Sequence, residues 1–378
     1  MGISCNQERK KPKIKRKIIE KNYDYNLINL EELKATLQCI FHIEPLVTYL
    51  KNKFYKIQNK KTYKSYNEKG KCITDSLKKL IDNIYPYEIH KPYLQNINLN
   101  AKIDLKEVAK TILEINPSYD KNKEYLINFI LMRLHKELNN AEQGIELDNK
   151  ITDECNKDST LNTYMENFTK KNISIISDYF FGTYYTSTTC MSCGYNIYKP
   201  KTYTYQKFNL EEVRTFKSES CQRNLNLLYM NNVPNFNIIN IADCLYYDRQ
   251  GKPYPNSNIP ICKRCAVIRN INFLTIIYSL PKILIFIFNK VNLIPNVKVF
   301  IEQQINIDFF ADYKPNKIYD LIGIIFNYPQ NNYSAFCKSF INGIWYCYNG
   351  EQVQIVNNLQ VIYTNYDNPY MLIYKQLD

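Results

Sequence analysis

Apolar residues return every three or four positions through much of the first 140 residues. Through the rest they return every second position or in unbroken runs. The helical period is met by Leu33, Leu37, Ile40 and Phe41, which share one face of a helix starting near Leu30. Pro45 interrupts or restarts that helix, because proline lacks the backbone donor the next turn needs. Helical patterns recur over 75–84 and 105–115, and most clearly over 123–138. There Leu126, Ile130, Leu134 and Leu138 form one stripe, the width expected of a face turned to a core. Residues 140–165 are polar and read as an exposed connection. From Ile173 onward short strand-like runs dominate, over 180–189, 203–210, 273–289, 297–307, 319–327, 334–340, 344–348 and 370–375. Helices first and strands later predict an α+β protein.

Composition changes this picture little. At 378 residues with 45% hydrophobic content, the chain builds one large domain or two ordinary ones. Its longest apolar run, 283–288, is too short to span a bilayer and reads as a buried strand. The first twenty residues lack an apolar segment, so no secretory signal is expected. The net charge is +13. Part of it is a cluster of Arg9, Lys10, Lys11, Lys13, Lys15, Arg16, Lys17 and Lys21, in a stretch too polar to order itself. The remaining basic residues are scattered without a glycine–aromatic RNA signature, so nucleic acid is not the expected partner.

The cysteines and histidines carry the chemistry. Cys190 and Cys193 form one pair and Cys262 and Cys265 a second. Two residues between cysteines let both sulfurs of a knuckle reach one ion, and two knuckles complete a tetrahedral Zn²⁺ shell. Cys39, Cys72, Cys155, Cys221, Cys244, Cys337 and Cys347 lack ligand spacing and read as buried thiols. The histidines are His42, His90 and His135. A mechanism that needs a histidine late in the chain is therefore excluded.

Around the cysteine pairs, several blocks resemble the ubiquitin-specific proteases. FFGTYYTSTTCMSCGY (180–195) resembles the family's entry to the fingers, and YQKFNLE (205–211) the strand that follows. LPKILIFIFNK (280–290), YDLIGIIFN (319–327), NNYSAFCK (331–338), IWYCYNGEQV (344–353) and PYMLIYK (369–375) follow in family order. EYLINFILMRLHKEL (124–138) resembles the thumb helix. NLINLEELKATLQCIFHIEPLVTYL (26–50) resembles the segment that holds the nucleophile. The resemblance implies a papain-like fold with helical thumb, β-rich palm and zinc-ribbon fingers. It also implies a tail over 1–22 and a domain over 23–378. In that domain the thumb takes 23–140, fingers and palm strands 173–290, and C-terminal palm strands 291–378. Sixty-eight residues separate Cys193 from Cys262, so an insertion near 215–258 is expected, projecting from the fingertips.

The resemblance also implies a Cys–His–Asp/Asn triad, and each position reads otherwise here. The nucleophile ends an Asn-Leu-Gly-Asn-Thr-Cys stretch. Aligned from Leu37-Gln38, Glu31 takes its place; aligned from Asn29, Lys34 does, with a short deletion. Asn332 replaces the base in Asn331-Asn332-Tyr333, and an amide is no base near neutral pH. Gly350 occupies the aspartate position, beside Asn349. Asn29 matches the oxyanion-stabilising asparagine, which does not catalyse without a nucleophile. Cys39 lies beyond the leucine–glutamine pair on a core-facing side. The expected protein is thus a catalytically inactive relative that binds ubiquitin or a ubiquitin-like partner. The alternatives are an active thiol deubiquitinase and a structural subunit of a larger complex. Gly2 offers an N-myristoylation site and Cys5 a palmitoylation site ahead of the basic cluster. That pattern suits an anionic membrane surface and a cytoplasmic protein, with the nucleus as the other compartment.

Overall fold

The computed structural model describes residues 27–52, 72–86, 98, 105–119, 124–141, 156–224, 235–250, 261–266, 271–289, 297–312, 316–357 and 369–377. The basic cluster, Gly2, Cys5, His90 and Cys155 lie outside them.

The first lobe is helical: α1 (Leu30–Phe41), α2 (Glu44–Asn52), α3 (Ile73–Ile84), α4 (Leu105–Ile115) and α5 (Leu126–Leu138). Asn29 caps α1, its side-chain oxygen accepting the amides of Glu31 at 2.9 Å and Glu32 at 3.1 Å. Pro45 sits in the first turn of α2, where the missing donor costs nothing, so it restarts the helix. Cys72 precedes α3 without a side-chain cap, and Glu137 of α5 supplies the acceptor instead. The predicted stripe Leu126, Ile130, Leu134 and Leu138 is buried.

Residues 156–171 depart from the expected open connection. Lys157–Lys171 forms α6, with Leu161, Tyr164 and Phe168 buried. Their spacing of three and four is helical, but the polar residues between them hid it. After α7 (Ile175–Phe180) the strands begin: β1 (Gly182–Cys190), β2 (Asn196–Tyr203) and β3 (Gln206–Asn209). Then come α8 (Leu210–Asn224), β4 (Ile238–Ile239), α9 (Ile241–Arg249), β5 (Ile271–Ser279) and β6 (Ile283–Asn289). The chain closes with β7 (Lys298–Val299), β8 (Gln304–Asn306), β9 (Ile318–Tyr328), β10 (Asn332–Lys338), β11 (Trp345–Asn349), β12 (Gln352–Val356) and β13 (Pro369–Gln376). The expected run 273–289 is two strands, because Pro281 breaks it between β5 and β6. Likewise 297–307 is two short strands.

β2, β1 and β5 form an antiparallel finger sheet in that order. The large sheet runs β12-β11-β10-β9-β13-β6-β3, with β8 on the start of β9. Its centre is buried on both faces. Ile283, Ile285 and Ile287 of β6 join the core under the helical lobe, while Leu284, Phe286 and Phe288 join a second core on the opposite face. A strand alternates faces, so burial on both sides makes 283–288 continuously apolar. Gly182 is required by its neighbour: a Cβ there would lie 2.4 Å from the Tyr203 ring.

The segment between the knuckles does not project from the fingertips where it is described. α8 and α9 pack on one another and on β3 and β5, at the palm edge. Lys217 of α8 pairs with Asp243 of α9 at 2.7 Å. Asn240 and Asp243 form the capping box that starts α9.

Candidate functional site

The two cysteine knuckles meet at the far end of the finger sheet. Cys190 ends β1, and Cys193 follows in the turn to β2. Cys262 and Cys265 form a second turn before β5. Each turn closes with a residue in the left-handed region, Gly194 and Ala266. The amide of Gly194 donates to the Cys190 carbonyl at 2.8 Å, and that of Ala266 to the Cys262 carbonyl at 2.9 Å. The four sulfurs all lie within 4.8 Å of one another. Cys190 and Cys265 approach to 3.6 Å, as do Cys193 and Cys262. Tetrahedral sulfurs about 2.3 Å from one ion sit about 3.8 Å apart, so this set can hold a metal ion. The amides of Cys265 and Arg264 point at the Cys262 sulfur and hold its thiol below the usual range, as suits a thiolate ligand.

A second cluster forms where α1 packs on β10. Asn29, Glu31, Glu32 and Lys34 occupy the first turns of α1. The Lys34 ammonium reaches Glu351, just past β11, at 3.4 Å. Glu32 is buried, and its carboxylate accepts the Tyr370 hydroxyl of β13 at 3.0 Å. The Tyr333 hydroxyl faces the same carboxylate. Burial, reinforced by Glu32, pushes the Tyr333 and Tyr370 phenols well above their usual range, so both stay neutral. Asn332 precedes Tyr333 at the exposed start of β10, and Gly350 precedes Glu351 with φ +56°. The first turns of α1 therefore lie beside the positions that Asn332 and Gly350 occupy.

Cys39 is buried two turns further along α1. Its sulfur rests against Gly323, 3.4 Å from where a Cβ would stand, and 3.7 Å from the Cys337 sulfur. Cys72, Cys244, Cys337 and Cys347 are buried as expected.

Two histidines are in the interior. His42 Nδ1 donates to the Gln38 carbonyl at 2.7 Å, and its Nε2 accepts from the Tyr348 hydroxyl at 3.2 Å. Burial lowers its pKa to about 4, so it is neutral. His135 lies between the Ser174 hydroxyl at 2.7 Å and the Asn172 side-chain oxygen at 2.9 Å. That order resembles a nucleophile, base and orienting amide, yet His135 is fully buried and Ser174 nearly so. The Ser174 oxygen also caps α7, accepting the amides of Ile176 and Ser177. The trio is structural.

The helical lobe, the palm and the fingers enclose a groove of about 630 Å³. Tyr184 of β1 pairs across the sheet with Lys201 and Ile277, and Thr186 with Thr275. These residues share one face and line the groove. Asn128 and Met132 of α5 form the opposite wall, and Tyr205, Gln206 and Lys207 the end toward the palm. The buried Gln206 side-chain oxygen has no donor among the described residues. Sequence patterning missed this groove, because its lining mixes polar and aromatic residues from six elements.

Comparison with known proteins gives one family and one fold. The family model described as ubiquitin carboxyl-terminal hydrolase matches residues 25–374. No curated sequence matches the chain. Among solved structures the chain is similar to one in a SAGA Ubp8/Sgf11/Sus1/Sgf73 DUB module with shortened Sgf11. The identity is 17% and the TM-score 0.60, over 98% of this chain and 72% of that one. A yeast SAGA DUB module matches at 15% identity and TM-score 0.58, over 92% of this chain and 66% of that one. A Ubp8/Sgf11/Sus1/Sgf73 module bound to ubiquitin aldehyde matches at 15% identity and TM-score 0.56, over 93% and 69%. At such identities the likeness is one of fold.

Proposed function

Because this chain belongs to the ubiquitin carboxyl-terminal hydrolase family, we propose that it binds ubiquitin or a ubiquitin-like partner without cleaving it. The observation that carries this reading is the set of side chains where α1 meets β10 and β11. With Asn29 as the cap of α1, the stretch Asn26-Leu27-Ile28-Asn29-Leu30-Glu31 aligns without a gap on the family's Asn-Leu-Gly-Asn-Thr-Cys. Glu31 is then the residue at the nucleophile position, no deletion is needed, and Lys34 falls one turn later. Glu31, Asn332 and Gly350 supply neither thiolate nor imidazole. Amide attack would lack both nucleophile and base. The buried, hydrogen-bonded state of Cys39, His42 and His135 supports the same reading.

The groove is where a partner would bind. It is concave, mixed in polarity and edged by Lys201 and Lys207. A related fold is known bound to ubiquitin aldehyde, which supports a globular partner of that class. Two of the similar structures are modules with Sgf11, Sus1 and Sgf73, which supports a protein complex as the setting. We assign Zn²⁺ to the four cysteines, since four convergent sulfurs are its preferred structural shell. The metal would tie the two knuckles together at the fingertips. For the tail we propose acylation at Gly2 or Cys5, assisted by the basic cluster on an anionic surface.

Titrating labelled ubiquitin while following chemical shifts tests the binding reading. Saturable shifts that Lys201→Glu weakens are expected. An absence of shifts at millimolar protein would leave the reading without support and favour a purely structural subunit.

A further inference from the structure

The groove and the first turn of α1 are separated by a wall of aromatic side chains. Tyr125, which opens α5, sits at its centre. Its ring packs edge-on against Tyr205, with centroids 5.5 Å apart. It also lies against Tyr370, at 6.3 Å. Its hydroxyl donates to the Asn289 side-chain oxygen at the end of β6, at 3.0 Å. The Lys207 ammonium stands 5.2 Å from its ring centroid. Tyr125 therefore fastens the helical lobe to the palm through β3, β6 and β13 together. Tyr205 and Lys207 both line the groove. Tyr370, behind Tyr125, donates to Glu32 on α1. The wall thus runs from the end of the groove to the helix that carries Glu31.

This position matters for what a partner can reach. One similar fold is found bound to ubiquitin aldehyde, and a polypeptide aldehyde is by its chemistry a chain end. A chain end passing from the groove to the α1 N-terminus must cross between the helical lobe and the palm, where Tyr125 stands. A wall made of several ring contacts, one hydrogen bond and a cation–π contact does not open without cost. We propose that Tyr125 closes this passage, so that the protein recognises the folded body of a ubiquitin-like partner and not its C-terminal tail. The proposal rests on the groove reading above and adds the residue that sets its specificity.

The experiment compares intact ubiquitin with ubiquitin lacking its flexible C-terminal tail, by calorimetric titration. The proteins are the full chain, Tyr125→Ala and Tyr125→Phe, with Tyr205→Ala opening the wall from the palm side in case Tyr125→Ala fails to fold. For the wild type, affinities for the two ubiquitins should agree within about twofold. Tyr125→Phe keeps the ring contacts and should behave likewise. Tyr125→Ala or Tyr205→Ala should favour intact ubiquitin by about tenfold or more, as the tail gains access. A wild type that already prefers intact ubiquitin by tenfold overturns the proposal while leaving the groove reading standing. Opened variants that show no preference overturn it in the same way. If neither ubiquitin binds any of the proteins, the groove reading fails and the proposal falls with it.

Discussion

Removing Glu137 should unfasten the helical lobe. Its side chain is 0% exposed, and its carboxylate serves as the missing cap of α3. It accepts the amides of Ile73 at 3.0 Å and Thr74 at 2.9 Å, the Thr74 hydroxyl at 2.6 Å and the Cys72 thiol at 3.2 Å. The Arg133 guanidinium completes the set at 2.7 Å. Glu137→Ala strands two helix-terminal amides and takes a charged partner from the largely buried Arg133 guanidinium. Breaking a buried, hydrogen-bonded charge in this way costs about 3–5 kcal/mol. Glu137→Gln keeps the shape and one acceptor oxygen, so its cost should be about 1–2 kcal/mol. For a chain of this size, the larger loss corresponds to a drop in Tm of about 5 °C. Urea denaturation followed by far-ultraviolet circular dichroism measures both variants. If Glu137→Ala costs less than about 1 kcal/mol, the carboxylate is not the cap, and the argument from buried satisfaction fails here.

Three further outcomes are expected. His42 has its pKa lowered by burial to about 4, so its contribution is complete above the unfolded value near 6.5. That contribution is lost as pH falls toward 4, by roughly 3 kcal/mol over the window. The wild-type-minus-His42→Gln difference in stability isolates it, and a difference flat from pH 7 to 4.5 would refute the assignment. Metal analysis of the purified chain should find one zinc per molecule, with Cys262→Ser losing both the zinc and fingertip stability; a metal-free wild type that melts normally would contradict this. Mass spectrometry of the native N-terminus should find an acyl group on Gly2. Gly2→Ala should then move the protein to the soluble fraction, whereas an unmodified end removes the membrane proposal.

The parts legible in the sequence were those that repeat a simple period or spacing. The stripe on α5 and the run 283–288 announce burial directly. The knuckles announce themselves because ligand geometry dictates two intervening residues. α6 was hidden because its buried face is Thr160, Leu161, Tyr164 and Phe168, too few apolar residues to stand out against the polar ones around them. α8 carries no apolar stripe, since it lies at an edge and is held partly by the pair Lys217–Asp243. The register at the nucleophile position is ambiguous in the sequence between Glu31 and Lys34, because the residues around Asn29 and around Leu37-Gln38 support different alignments. Nothing local predicts that Tyr125 meets Tyr205 and Tyr370. Those contacts join residues some 80 and 245 positions apart, and only the fold brings them together.

The most direct test of the central claim is reaction with ubiquitin that carries a thiol-reactive warhead at its C-terminus. The full chain, at concentrations where ubiquitin binding is measured, should form no covalent adduct, and mass spectrometry should find every cysteine unmodified. Stoichiometric adduct formation at a single cysteine, Cys39 above all, would show that a nucleophile faces the ubiquitin terminus and would contradict the account.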